Sequence, residues 1–236
     1  MPRSTNKQHG FSLVEIAIVL VIVGLMVGGL LTPLSMQLEQ RKTADTQRAL
    51  GEAREALIGF AVRYGYLPCP AISASDGQED RNGNRCTDER REGYLPWATL
   101  GLPRLDAWNH LYRYSVTPAF ADSADRFKLV TARDITVYTR DGLGNPAAAT
   151  APADIPAVIL SHGKNGYGAT SDAGLRLANG SRSNEDEQNN IGADINFMAR
   201  NASDNRALPG GEFDDMVVWV SPNILFNRMV AAQVLP

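Results

Sequence analysis

The side chains of this 236-residue chain with most scope for chemistry are one carboxylate, two thiols and a few polar clusters. Glu15 stands at the lip of a long apolar run in "HGFSLVEIAIVLVIVG", residues 9–24. A carboxylate carried into a bilayer is costly unless a partner charge neutralises it, so this position asks for a partner. Cys69 and Cys86 are the two cysteines. They are too few for a small disulfide scaffold or a four-ligand zinc site, and they suffice for one disulfide in an oxidising compartment. "SHGKNGYG", residues 161–168, sets Lys164 in a Gly-rich stretch. It fails as a phosphate loop, because Val158 stands where the first Gly belongs and Asn165 where Ser or Thr belongs. It fails as a dinucleotide fingerprint too, which leaves a tight turn after a strand.

Ser161 and His162 with an Asp would suggest a hydrolase, yet no G-x-S-x-G elbow is present. His9, His110 and His162 lack metal-ligand spacing. "DGQEDRNGNRC", residues 76–86, gathers Asp76, Glu79, Asp80, Asn82 and Asn84. The EF-hand pattern fails there for want of a Glu at the twelfth position, and Arg81 and Arg85 intrude. That stretch reads as a solvated polar turn, and "NEDEQNN", residues 184–190, is a weaker cluster of the same kind. No catalytic residue, metal site or cofactor is expected, and the chain is read as not an enzyme. A formal net charge of -3 gives no basic field, so no nucleic acid is inferred as a partner.

The elements that position these residues follow from pattern. Ile16 to Leu38 contains no charged residue, and at helical rise it can cross a bilayer core of about 30 Å. In lipid such a segment must be helical. Gly24, Gly28, Gly29 and Pro33 mark its second half as a place to bend. Arg3 and Lys7 precede the run, which sets the N-terminus in the cytoplasm and the rest outside. Arg41 and Lys42 blunt that signal, and Glu39 and Asp45 partly offset them. A secretory signal peptide would need a small-x-small site after Leu20, which is not convincing here. A plain anchor leaves Glu15 unexplained, and a buried core helix is disfavoured by length.

Beyond Gln37 the helix is expected to continue. Leu50, Ala53, Leu57, Ala61 and Tyr64 recur at three- and four-residue spacing, with Arg48, Glu52, Glu55 and Arg63 opposite. Gly65 is a plausible stop, giving one helix over 14–64. Residues 66–104 read as an irregular connection with "GYLP" at 65–68 and 93–96, taken as turns that bury an aromatic and a Leu. Strands are predicted at 111–117, 127–133, 135–139, 156–161 and 216–221. A polar stretch over 165–212 reads as a long loop. Ser221 and Pro222 open a short helix. A helix packed on an antiparallel sheet is an α+β architecture.

"GFSLVE", Gly10 to Glu15, sits between a charged leader and the unbroken apolar run. That order closely resembles the type IV prepilin signature shared by type IV pilins and type II secretion pseudopilins. The resemblance implies a leader over 1–10, cut by a prepilin peptidase between Gly10 and Phe11, with Phe11 then N-methylated. It implies a long helix over 11–64 whose first half, about 14–38, spans the membrane, and a globular head over 65–236. In a filament, Glu15 would pair with the Phe11 amine of a neighbouring subunit. Pro33 lies one place later than the helix Pro of many major pilins. The implied partners are other pilin or pseudopilin subunits, the prepilin peptidase and an inner-membrane assembly platform. The implied location is the bacterial inner membrane, N-terminus in the cytoplasm and head in the periplasm, then the filament. A periplasmic head favours a Cys69–Cys86 disulfide over two independent thiols. The mature length exceeds that of typical major pilins and points to a minor pilin or minor pseudopilin. "FDDMVVWVSPNILFNRM", residues 213–229, also resembles large minor prepilin-like proteins. The other reading is a membrane-tethered periplasmic binding domain that does not polymerise.

Overall fold

Helix α1 is Leu13–Tyr64, one uninterrupted element that passes through Gly24 and Pro33. The computed structural model describes residues 12–180, 183–192 and 195–235, with backbone alone at 27–33. Among the described residues no helix is long and apolar enough to cross a membrane. Residues 27–33 fall inside the uncharged run from Ile16 to Leu38. The chain divides into two units, Met1–Lys42 and Thr43–Pro236. In the first, Glu39 and Lys42 make a helical i,i+3 pair at 3.9 Å.

The second unit takes in the rest of α1. Its apolar stripe is buried as the periodicity predicts: Leu50, Ala53, Leu57, Ile58 and Ala61 are all at 3% exposure or less. Tyr64 is the exception. It is exposed and packs instead into a surface cluster with Phe60 and Tyr66, ring centroids 4.5 and 6.2 Å away. The helix stops at Gly65, whose φ of 82° is the left-handed conformation that glycine adopts without strain. The Gly65 N–H still donates to the Ala61 carbonyl at 2.7 Å.

Strands β1 (Arg81–Asn82) and β2 (Arg85–Cys86) form a small hairpin. Strand β3 (Glu92–Tyr94) follows, then the single turn α2 (Trp97–Leu100) and β4 (Arg113–Val116). Next come β5 (Thr136–Arg140), β6 (Pro146–Ala148) and β7 (Ala157–Ser161). Helix α3 (Glu185–Gly192), β8 (Asn196–Met198), β9 (Met216–Trp219) and α4 (Pro222–Ala231) complete the chain. The main sheet is antiparallel in the order β3-β4-β7-β9. A smaller sheet runs β6-β5-β8, in which β5 and β8 are parallel. The architecture is α+β, as expected.

Strand β7 explains how the layers stack. Every one of its residues is buried. Ala157 and Ile159 face a core built with Leu50, Leu57, Tyr114, Phe120, Leu225 and Met229. Val158 and Leu160 face a second core with Ile135, Val137, Ile155 and Phe197. With both faces covered, alternation disappears and the strand reads as a continuous apolar run. Helix α4 closes the first core and is tied to α1 by Arg228 and Glu55 at 3.0 Å. Ser221 precedes α4 without a side-chain cap bond, and Pro222 takes the first turn.

Three sequence expectations are corrected. Residues 127–133 are not a strand. Phe127 is buried and stacks on Phe120 at 4.4 Å, but Val130 is 90% exposed at a turn where the Thr131 N–H donates to the Lys128 carbonyl. The second "GYLP" is not simply a turn, because Gly93 and Tyr94 belong to β3. In both copies the Leu is buried and the Tyr only half-buried. The polar stretch 165–212 is not one long loop, since it contains α3 and β8.

Cys69 and Cys86 are joined in a disulfide that spans 17 residues, Cα atoms 5.4 Å apart. Inside the closed loop, Glu79 accepts from the Cys69 N–H at 2.9 Å and pairs with Arg81. Arg81 donates to the Ala121 carbonyl at 2.8 Å and lies over the Tyr66 ring. These polar groups of 76–86 are thus largely spent on holding the loop. Replacing both cysteines with Ser is expected to remove about 3 kcal/mol by the loop-entropy argument. Thermal unfolding of the full chain in detergent should then show a Tm lower by roughly 6–12 °C. An unchanged Tm would mean that the Glu79–Arg81 contacts alone fix the loop.

Candidate functional site

At the start of α1, Ser12 and Glu15 cap each other. The Glu15 N–H donates to Ser12 Oγ at 3.2 Å, and the Ser12 N–H donates to Glu15 Oε2 at 2.8 Å. This is a reciprocal capping box, and it satisfies two of the amides that a helix start leaves open. Leu13, Val14, Ile16 and Ile18 to Val23 are exposed around it, as an unassembled apolar helix would be. Gly10 and Phe11 lie outside the described residues.

The head contains a polar centre of a different kind. Glu187 on α3 and Asp214 and Asp215 at the entry to β9 bring carboxylate oxygens within 4.8 Å of one another. Glu187 is fully buried and Asp215 nearly so. Glu187 Oε1 accepts from Asn165 Nδ2 at 2.8 Å and from the Asp214 N–H at 2.9 Å. Its Oε2 accepts from Asn184 Nδ2 at 2.7 Å. Asp214 Oδ2 takes the Asn165 N–H, and Asp215 Oδ2 takes Asn190 Nδ2, both at 2.8 Å. Burial lifts the Asp214 carboxyl to about 8, and the charges of Glu187 and Asp215 push it the same way. Burial raises Glu187 as well, against the hydrogen bond from Asn184. Of the residue types able to hold a metal, these three carboxylates form the one such cluster found among the described residues.

Next to this centre, Asp186 is buried between two guanidinium groups. Arg140 Nη2 lies 2.6 Å from its Oδ1, and Arg200 Nε lies 2.6 Å from its Oδ2. This pins α3 to β5 and to the segment after β8. Gly210 and Gly211 pack against Asp186 and the Ser183 carbonyl, where a Cβ would collide.

Ser161 and His162 do not form a nucleophile–base pair. The Ser161 hydroxyl donates to Asp106 Oδ2 at 2.6 Å, whereas His162 faces Asp215. Gly163, Gly166 and Gly168 all have positive φ and form the turn expected after β7. The sequence reading missed Glu187, Asp214 and Asp215 as a group. "NEDEQNN" looked like a solvated cluster, and its members Asn184, Asp186, Glu187 and Asn190 are instead buried. A faint signal lay in amide side chains interleaved with acids, since buried carboxylates need such donors.

Residues 5–31 match the family model of the prokaryotic N-terminal methylation motif. No curated protein and no solved structure gives a significant match to the chain.

Proposed function

We propose that this chain, a type IV prepilin-like protein by its N-terminal methylation motif, is a structural subunit of a type IV pilus or type II secretion pseudopilus. The observation that carries the reading is the match over residues 5–31, which takes in the capped, apolar start of α1. A prepilin peptidase would cut between Gly10 and Phe11 and methylate the new amine. Glu15, four residues on, would pair with the Phe11 amine of a neighbouring subunit. The subunit waits in the inner membrane, held by the uncharged run from Ile16 to Leu38, with its head in the periplasm. The Cys69–Cys86 disulfide supports that compartment, because disulfides persist where the surroundings are oxidising. The large head favours a minor subunit that initiates assembly, sits near the tip or contacts cargo. Its partners would be other pilin or pseudopilin subunits and the inner-membrane assembly platform.

The test is the intact mass and N-terminal sequence of the chain from membranes with and without a prepilin peptidase. The expected product starts at N-methyl-Phe11 and depends on the peptidase, and a bulky residue in place of Gly10 should abolish it. A mature start at Met1 or Pro2 would sink the reading and leave a tethered periplasmic domain, and a cut beyond the apolar run would sink it and leave a secreted one.

A further inference from the structure

We propose that the cleft beside β3, walled by Arg90, Arg113 and Arg176, binds a pair of carboxylates carried by one small ligand or one polypeptide segment. The cleft lies wholly within the unit Thr43–Pro236 and does not rest on the filament reading.

Charge is the first reason. The cleft, of about 240 Å³, opens at β3, an edge strand of the main sheet, beside the segment through Thr170 and Arg176. Its charged side chains are the three arginines and a single acid, Glu92. Glu92 Oε2 accepts from Arg113 Nη2 at 2.7 Å, and Arg113 Nη1 donates to the Asn190 and Ile191 carbonyls at 2.6 and 2.8 Å. Arg113 is thereby neutralised and fixed in the wall. Arg90 and Arg176 are exposed, and neither side chain makes an ion pair or hydrogen bond among the described residues. The cleft therefore holds a surplus of two positive charges.

The way these groups are held is the second reason. Arg113 is mostly buried, and burial lowers its pKa. Glu92 and Asp215 oppose that shift, and the neighbouring Arg176 charge adds to it. Arg176 thus repels a guanidinium that is fixed in place, and an anion beside them relieves the repulsion. Arg90 follows a strained turn. Asp88 and Glu89, just before it, both have left-handed backbone, with φ of 55° and 52°. Consecutive non-glycine residues rarely adopt that conformation, and such strain collects at binding sites. Tyr94 donates its hydroxyl to Thr170 Oγ1 at 3.3 Å, which leaves the Thr170 proton to serve a ligand.

The lining selects the ligand. A guanidinium fork matches the paired oxygens of a carboxylate or a phosphate, and such charge-assisted hydrogen bonds are the strong ones. Two unpaired arginines from separate segments, one before β3 and one after Thr170, suit two acidic groups rather than one point charge. Ile72 and Ile191 add an apolar wall for the carbon chain that joins two carboxylates. Inorganic phosphate has no such chain. The volume lies below that of drug-sized sites, so the ligand is small or is a protruding part of a polypeptide. Glu92 stands in the same cleft and weakens its field, which sets a moderate affinity.

The experiment titrates the full chain in detergent calorimetrically with sodium succinate, at about pH 7 and constant ionic strength, so that both carboxylates are charged. The expected result is one ligand per chain with Kd on the order of 10⁻⁴–10⁻³ M. Arg90→Gln and Arg176→Gln remove exposed side chains without contacts among the described residues, so the fold should persist. Each should weaken binding about tenfold. Glu92→Gln removes the competing acid and should tighten binding about threefold, a gain that damage to the fold does not produce. Lys128→Gln, on a different cleft, should leave binding unchanged. A second titration uses an acetylated and amidated Asp-Asp dipeptide. Tighter binding of the dipeptide assigns the carboxylates to a polypeptide, and tighter binding of succinate assigns them to a free dicarboxylate. No saturable heat from either probe up to about 20 mM would overturn the site. Binding that survives both arginine variants unaltered would overturn it equally, by placing the ligand elsewhere. Inorganic phosphate bound more tightly than both probes would overturn the choice of carboxylates.

Discussion

Glu15→Ala is expected to leave trimming between Gly10 and Phe11 intact and to lower incorporation into filaments by about tenfold or more. The expectation follows from a difference between two states. In lipid the carboxylate has no opposite charge, and in the assembled bundle the proposed partner is the Phe11 amine of a neighbour. Alanine removes the penalty of the first state and the pairing of the second, so the drive out of the membrane falls. The capping box complicates the comparison, because Glu15 also serves the helix start by accepting from the Ser12 N–H. Ser12→Ala separates the two roles. It removes the hydroxyl that accepts from the Glu15 N–H and leaves the Glu15 carboxylate in place. It should weaken the first turn by about 1 kcal/mol and leave incorporation near the unsubstituted level. Quantifying mature subunit in sheared filaments against total membrane subunit reads both variants. Equal losses in the two would assign Glu15 to helix capping and remove the pairing argument. Unsubstituted incorporation of Glu15→Ala would favour a tethered domain that does not polymerise.

How far the sequence discloses this molecule depends on which physical signal each element uses. Helix α1 is legible because its pattern is long: an uncharged run, then a stripe through Leu50, Leu57 and Ala61, then Gly65. Strand β7 is legible because burial on both faces leaves a bare apolar run. The segment 127–133 misleads for the opposite reason. Its residues have strand propensity, but only Phe127 finds a place in the core, and no neighbouring strand pairs with the rest. Helix α3 is illegible to hydropathy, since Asp186, Glu187 and Asn190 enter the interior on specific polar partners rather than on apolar surface. The carboxylate centre is hidden by distance along the chain. Glu187 and Asp214 are 27 residues apart, and no spacing rule connects a helix side chain to the approach of a strand. The N-terminal methylation motif lies at the other extreme, because its residues are contiguous and so are visible as linear sequence.

Asp186→Ala is expected to cost the head about 3–5 kcal/mol, the largest loss of stability foreseen for a single substitution here. The Asp186 side chain has no exposed surface, and Arg140 and Arg200 have little, at 12% and 10%. Truncating the acid leaves Arg200 without its carboxylate and Arg140 with only the exposed Glu185 at 3.3 Å, both in a nearly dry site, and the cost comes mainly from that lost pairing. The consequences should spread along the fold, because the same three residues join α3, β5 and the chain after β8. The Gly144 and Gly211 carbonyls accept from Arg140 and Arg200 at 2.8 and 2.6 Å, so these turns should loosen as well. Urea unfolding of the full chain in detergent measures the loss, and hydrogen exchange locates it. Asp186→Asn keeps the shape and removes only the charge. If electrostatics dominates, it should fall close to the Ala variant. If it retains most of the stability, packing against Gly210 holds α3 and the ion triad contributes little.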